Sequence, residues 1–156
     1  MFKINKKMEY ALLSLRYIRQ KSPEDLTSAK EISAVFNIPF APTARVLQIM
    51  AQHGILRASQ GVRGGYRLKK NLADVSLGDL NTIIIGPIQI TTCSSHPRAC
   101  ALTSLCKMTG PMNTLNHKLQ DLFNTINLDA FFGPQDPETK AVSRFRNQHQ
   151  RHDPDE

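Results

Sequence analysis

Apolar positions at helical spacing predict three helices in the first third of the chain. Residues 4–20 carry one apolar stripe with steps of three or four, which is typical of an amphipathic helix. A second helix is predicted after the cap residue Ser28, with Glu31 at the capping-box position, and it ends at "NIP". A third covers "FAPTARVLQIMAQHG", with Pro42 in its first turn and Gly54 just past its end. The stripe of the first helix consists of Ile4, Met8, Leu12, Leu15 and Ile18.

A glycine-rich hairpin is predicted directly after the third helix. Ile55–Ala58 and Tyr66–Leu68 favour short strands, and "SQGVRGG" between them favours a turn. Two short helices joined by a tight turn outline a helix-turn-helix, and a hairpin that follows at once is the wing of a winged helix. The predicted fold class is therefore mainly α, with a winged helix-turn-helix and a two-stranded wing over residues 1–72.

Two further helices are predicted over residues 73–132. The first, in "DVSLGDLNTIIIGP", is capped by Ser76 and ends at its "GP". A long helix opens at Pro111 and carries a heptad seam that suits pairing with a second copy, although packing on its own domain is an alternative. Residues 133–156 are polar and lack apolar periodicity, which predicts a disordered tail. The seam consists of Met112, Leu115, Leu119, Leu122 and Ile126.

Charge is distributed unevenly along the chain. Residues 1–70 hold 13 Lys and Arg against 4 Asp and Glu, whereas residues 71–156 hold 7 against 9. A basic half beside a near-neutral half favours a polyanion-binding module joined to a second unit. An ordinary basic surface, or a winged helix that binds protein, is the alternative.

The order of the predicted elements fits double-stranded DNA as the partner. The third helix suits the major groove, where Thr43, Arg45 and Gln48 are expected to face solvent and contact bases. Glycine in the wing, Gly64 included, would let the backbone approach the nucleic acid closely. Basic side chains of the wing would bind phosphates or enter a narrow minor groove. The remaining predicted contacts are Ser28, Lys30, Arg57, Arg63, Arg67 and Lys69.

All three cysteines lie within 14 residues, as Cys93, Cys100 and Cys106 in a C-x6-C-x5-C pattern. Thiolates are the soft ligands that iron–sulfur clusters and zinc both favour, and three is one fewer than such sites usually take. His96, inside the loop, would complete a zinc site. Sensing by metal-free thiols is the third alternative.

Other classes of protein find no support in the sequence. The N-terminus lacks the continuous apolar segment of a signal peptide, and no run reaches the ~20 apolar residues of a membrane span. The expected location is the cytoplasm, where thiols stay reduced. Enzymatic motifs such as GxSxG, the P-loop and HExxH are missing, so an enzyme is not expected.

Over residues 1–132 the chain resembles the Rrf-two family of bacterial winged-helix regulators. The matching segments are "YALLSLRYI", "TSAKEISAVFNIP", "RVLQIMAQHGIL", the wing "SQGVRGGYRL" and "VSLGDL", followed by the cysteine loop. The third helix departs from similar members, because it begins "PFAPTAR" and lacks their glutamate and glutamine. Members with three such cysteines bind a [2Fe–2S] or [4Fe–4S] cluster, which implies Cys93, Cys100 and Cys106 as ligands here. The fourth ligand varies in the family, and the carboxylate of similar members falls on Glu9 in this chain.

The resemblance implies a homodimeric, DNA-binding repressor that senses nitric oxide, redox state or iron–sulfur status through its cluster. A zinc- or cluster-stabilised interaction protein that does not read DNA is one alternative. A metal-free thiol redox regulator is the other.

Overall fold

A computed structural model describes residues 4–90 and 106–134 of the chain. Within these residues the architecture is mainly α with one two-stranded antiparallel sheet, so the predicted fold class is confirmed. The predicted helices all form, with bounds that differ from the expected ones by a few residues. The elements are α1 (Lys6–Arg19), α2 (Ala29–Phe36), α3 (Phe40–Gln52), β1 (Leu56–Ser59), β2 (Gly65–Leu68), a short 3-10 helix (Leu72–Asp74), α4 (Leu77–Ile84), α5 (Thr109–Thr125) and α6 (Leu128–Phe132).

Side-chain caps fix where α2 and α4 begin. Ser28 Oγ accepts a hydrogen bond from the amide of Glu31 at 3.1 Å, as the sequence predicts. Ser76 and Asp79 form a complete capping box at the start of α4. The Glu31 carboxylate also accepts a hydrogen bond from the hydroxyl of Tyr17 at 2.8 Å, which ties α2 to α1. The caps at Ser28 and Ser76 satisfy amide groups at the helix starts that would otherwise lack partners.

The core is centred on α3, which packs against α1 and α2. Val46, Leu47 and Met50 of α3 are completely buried and share one apolar cluster with Leu15 of α1 and Ile32 of α2. Full burial of each such side chain contributes roughly 1.5–3 kcal/mol. Burial of this stripe therefore determines which face of α3 is left in solvent.

The hairpin β1–β2 forms the wing. Its register pairs Leu56 with Leu68 and Arg57 with Arg67. The wing is attached to the helices through Thr27, whose backbone exchanges two hydrogen bonds with that of Tyr66, at 3.0 and 2.9 Å. The sheet is thereby extended by one bridge, and the wing is held against the loop that precedes α2.

Backbone bonds join α4 to the turn that follows α5. The amide of Leu77 donates to the carbonyl of Ile126 at 2.8 Å, and the amide of Leu128 donates to the carbonyl of Val75 at 2.9 Å. Because Ile126 is extended rather than helical, α5 ends at Thr125. The prediction that Ile126 continues the heptad seam of the long helix is therefore wrong.

An ion pair links α1 to the C-terminal end of the described chain, in addition to the backbone bonds at α4. Arg19, at the end of α1, lies 2.9 Å from the carboxylate of Asp129 and donates to the carbonyl of Gly133 at 2.9 Å. The guanidinium is largely buried, whereas the Asp129 carboxylate is about half exposed (48%), so water reaches one side of the ion pair. The two links fix α6 and the end of α5 on the winged helix.

None of the helices within residues 4–90 and 106–134 is long and apolar enough to cross a membrane. The predicted disordered tail, apart from its first two residues, lies outside the described residues.

Gly78 allows α4 and α5 to approach closely, so Gly78→Ala should destabilise the fold. A Cβ at this position would lie 2.0 Å from Oδ1 and 3.2 Å from the backbone nitrogen of Asn124. We expect the free energy of unfolding to fall by about 1–3 kcal/mol, measured by denaturant unfolding.

Gly110→Ala is the matched control, because a Cβ on Gly110 of α5 meets nothing within 4 Å. This control should be neutral or slightly stabilising, since alanine favours helix. The double variant Gly78→Ala/Asn124→Ala should recover part of the loss, because it removes the overlapping amide. Equal stability of the Gly78 and Gly110 variants would contradict the close packing.

Candidate nucleic-acid interface and cysteine site

The solvent-facing side of α3 carries one arginine and two glutamines. Arg45 and Gln48 are exposed, as predicted, and Gln52 extends the same face by one turn. Their spacing of three or four residues places them in a row along the helix. This row can donate and accept hydrogen bonds, which is what direct reading of base edges requires.

The prediction that Thr43 faces solvent is wrong. Thr43 is completely buried, and its Oγ1 donates to the carbonyl of Pro39 at 2.8 Å. The position of Thr43 along the helix explains its burial. Thr43 lies three residues before Val46 and four before Leu47, so it belongs to the buried stripe. Thr43 anchors the first turn of α3 instead of presenting a polar group to a ligand.

Phe40 and Ala41 are exposed at the start of α3, and neither is among the residues predicted to contact DNA. A large aromatic residue at a helix start is ordinarily assigned to the core, which hid this signal. Helical phase gave no signal either, because Phe40 lies three residues before Thr43 and seven before Leu47, in phase with the buried stripe.

The wing carries a cross-strand pair of arginines. Arg57 and Arg67 are direct partners in the antiparallel register, so their side chains leave the same face of the hairpin. Like charges in this arrangement repel each other, and an anion between them would relieve the repulsion. Glu24, from the loop after α1, lies 2.9 Å from Arg67 and supplies one such negative charge. The wing tip is exposed at Arg63.

The remaining predicted contacts are placed around α2 and the wing. Lys30 is exposed in the first turn of α2, beside the cap Ser28, and Lys69 is exposed just after β2. Gly64 has a packing role, because a Cβ there would lie 2.5 Å from the carbonyl oxygen of Ser59. Backbone compactness is therefore sufficient to explain glycine at this position.

Two of the four predicted cluster ligands lie within the described residues. Cys106, three residues before α5, is an exposed free thiol, whereas Cys93, Cys100 and His96 lie outside the described residues. Residues 4–90 and 106–134 contain no group of three or more His, Cys, Asp or Glu side chains that would hold a metal ion. The exposed thiol of Cys106 is nevertheless accessible, and a thiolate is the kind of ligand that soft metals favour.

Glu9 lies in the first turn of α1, where it pairs with a lysine. Its Oε2 is 2.6 Å from Nζ of Lys6, and this hydrogen bond, followed by the charge of Glu9, raises the pKa of Lys6 above its ordinary value. Glu9 also lines an open cavity of about 490 Å³ with Phe131 and Phe132. The carboxylate is partly exposed, and Lys6, which contacts only its Oε2 atom, would compete with a metal for it.

A winged helix with an exposed polar face on α3 and a basic wing is typical of DNA-binding regulators. The family model of Rrf2, described as an iron-dependent transcriptional regulator, matches residues 4–133. This chain belongs to the Rrf2 family, which is a family of transcription regulators and not of enzymes.

Individual relatives agree with this assignment. The chain is 23% identical to the transcriptional regulator NsrR of Halalkalibacterium halodurans over 106 residues, which cover 67% of this chain and 73% of that protein. CymR of B. subtilis, the global cysteine regulator, superposes with a TM-score of 0.60 at 19% identity, over 82% of this chain and 94% of CymR. IscR of T. potens gives a TM-score of 0.59 at 14% identity, over 99% of this chain and 94% of IscR. The two solved structures show that the fold is shared.

The wing requires glycine at position 65, so Gly65→Ala should destabilise the fold. A Cβ on Gly65 would lie 2.9 Å from the carbonyl carbon and oxygen of Thr27, at the point where Thr27 bonds to Tyr66. Backbone cannot move aside as a side chain can, and we expect a loss of about 1–3 kcal/mol in thermal or denaturant unfolding. Val62→Ala, at a fully exposed wing position, is the control and should leave stability unchanged. Wild-type stability in Gly65→Ala would argue against this contact.

Proposed function

We propose that this regulator is a homodimeric repressor that reads DNA through α3 and the wing and senses its signal through a cysteine-ligated iron–sulfur cluster. The observation that carries the DNA part is the exposed polar face of α3, together with the arginine pair of the wing. Membership of the Rrf2 family supports it. The proposal assumes a reducing compartment such as the cytoplasm, where thiolates are available as ligands.

In this proposal the polar face of α3 enters the major groove. Arg45 would donate to a guanine edge and Gln48 to an adenine edge, the pairings that their side-chain geometry favours. Basic residues around this face would contact phosphates and fix the register without reading sequence. The basic contacts would be Lys30 at the start of α2 and Arg57, Arg63, Arg67 and Lys69 in or just after the wing, and Ser28 and Gly64 are the uncharged members of the proposed set.

Dimerisation through α5 is supported by the exposure of that helix. Within the described chain α5 has no buried residue, and its seam residues Leu115 and Leu122 are 45% and 53% exposed. They are seven residues apart, which suits knobs-into-holes packing against a second copy. A dimer would also bring two winged helices to two half-sites of one operator.

Cys93, Cys100 and Cys106 would hold the cluster, with Glu9 as the proposed fourth ligand. When bound, the cluster supplies an iron site that small molecules such as nitric oxide or oxygen can attack. A carboxylate is a harder and weaker partner for this iron than a thiolate, so it would leave that site labile. The description of the family as iron-dependent supports the proposal.

The connection between α5 and the winged helix gives the signal a physical route. Cys106 lies just before α5, and α6, which begins three residues after the end of α5, is tied to α1 through Asp129 and Arg19. A change around Cys106 that shifts α5 would therefore act on α1, against which α3 packs. This route would couple the cysteine site to the DNA-reading helix, as the proposed switch requires.

A metal-free thiol sensor is the second candidate. The exposed thiol of Cys106 favours it, because accessible thiols are the ones that oxidants reach. CymR, which shares the fold, is named a global cysteine regulator, so sulfur chemistry is a plausible signal for this architecture.

DNA binding is tested by selecting duplexes from a random library with anaerobically purified protein. We expect one enriched sequence with two half-sites, and an affinity that falls steeply with salt because phosphate contacts release counterions. Glu24→Gln should tighten binding up to about fivefold at low salt, because an exposed ion pair contributes at most about 1 kcal/mol and Glu24 competes with phosphate for Arg67.

Asp25→Asn is the matched control for Glu24→Gln. It removes the same charge one residue away in the same exposed loop, so it should tighten binding less. Failure to enrich any sequence would contradict the regulator function. Equal effects of the two variants would remove only the role of Glu24.

The cluster is tested by absorption spectroscopy and native mass spectrometry of anaerobically purified protein. We expect visible absorption and a mass increase equal to one cluster in the wild type. Both should be lost in Cys106→Ala and be much less stable to air in Glu9→Ala. Lys6→Ala is the control, because it frees the Glu9 carboxylate and should preserve the cluster.

The outcomes separate the candidates. A colourless wild type that carries only zinc would contradict the cluster. A colourless, metal-free protein whose DNA binding responds to oxidants would favour the thiol sensor. An unchanged cluster in Glu9→Ala would remove Glu9 alone.

A further inference from the structure

The first turn of α3 presents an apolar surface to solvent. Phe40 is 57% exposed, whereas the large apolar side chains of the buried stripe on the same helix are completely covered. Pro39 and Ala41, on either side of it, are exposed as well. This apolar patch lies at the leading end of the proposed recognition helix, just over one turn before Arg45. Its chemistry therefore limits what this end of the helix can recognise.

The turn that carries Phe40 is anchored to the core. Thr43 Oγ1 donates to the carbonyl of Pro39 at 2.8 Å, and the amide of Thr43 donates to the same oxygen at 3.4 Å. Because Thr43 is completely buried, these bonds hold the start of α3 in place. A phenyl ring adds only two side-chain torsions to this fixed turn. Phe40 thus offers a defined apolar surface at low entropic cost.

An apolar side chain has one distinctive partner among the base edges of the major groove. Guanine, cytosine and adenine present hydrogen-bond donors and acceptors there, whereas thymine adds a 5-methyl group. A phenyl ring pressed against a donor or acceptor would leave that group without a partner, which costs free energy. Contact with the thymine methyl instead removes apolar surface from water on both sides.

We propose that Phe40 contacts the 5-methyl group of a thymine in the major groove and so fixes one position of each half-site as thymine. This inference rests on the proposed DNA-binding function. Arg45 and Gln48 share the exposed side of α3 and would read neighbouring base pairs. The sequence of α3 contains no acidic residue, so no carboxylate of this helix opposes the approach of the phosphates.

The test uses the full-length protein and the selected duplex, with thymines replaced by deoxyuridine one at a time. Deoxyuridine keeps base pairing and removes only the 5-methyl group. Fluorescence anisotropy at constant salt should show a loss of about fourfold in affinity at one thymine of each half-site, the factor that corresponds to burial of one methyl group. Replacement at the other thymines should have little effect.

Phe40→Ala links the effect to this side chain. The variant should bind the thymine duplex more weakly and should show no further loss when the same thymine becomes deoxyuridine. Gln48→Ala, on the same face, should keep the full deoxyuridine effect. Ile85→Ala, which removes an exposed apolar side chain just after α4, should bind like the wild type.

The outcomes distinguish failure of the thymine contact from failure of the proposed DNA-binding function. If no thymine of the selected duplex responds to deoxyuridine in the wild type, the inference is overturned while the proposed function stands. A deoxyuridine effect that persists in Phe40→Ala would assign the methyl contact to another residue. A change of oligomeric state in Phe40→Ala, without loss of thymine discrimination, would show that Phe40 binds protein. Absence of any enriched duplex would overturn the proposed function itself.

Discussion

Burial of one stripe of α3 is the constraint on which the arrangement of the site depends. Val46, Leu47 and Met50 must face α1 and α2 to complete the core, and Thr43 is drawn into the same stripe. Once these positions are buried, helical geometry leaves the opposite side in solvent. The position of Arg45 is therefore a consequence of core packing.

Close backbone approach determines how the other elements are placed around α3. Gly65 lets the wing meet the loop at Thr27, and Gly78 lets α4 meet α5 at Asn124. Neither contact would accept a Cβ without movement of its neighbour, which is the Thr27 backbone at Gly65 and chiefly the Asn124 side chain at Gly78. Under the proposed function, these close contacts would help to pass a shift of α5 on to the winged helix.

The sequence was sufficient for the fold because its signals were local. Ser28 and Ser76 cap helices where predicted, and the glycine-rich segment forms the hairpin turn. The sequence was insufficient for the site, because packing between elements and long-range pairing determine which of its residues are exposed. Thr43 is polar yet buried, Phe40 is aromatic yet exposed, and Ile126 leaves the helix to pair with residue 77. Such features depend on which elements meet, which a single-residue preference does not contain.

The most direct test of the central claim is a structure of the protein bound to its selected duplex. The account predicts that α3 lies in the major groove with Phe40 and Arg45 within contact distance of base edges, while Arg57 and Arg67 of the wing contact the backbone. The account would be contradicted if the DNA were bound elsewhere and the outward face of α3 were free in solvent or covered by protein.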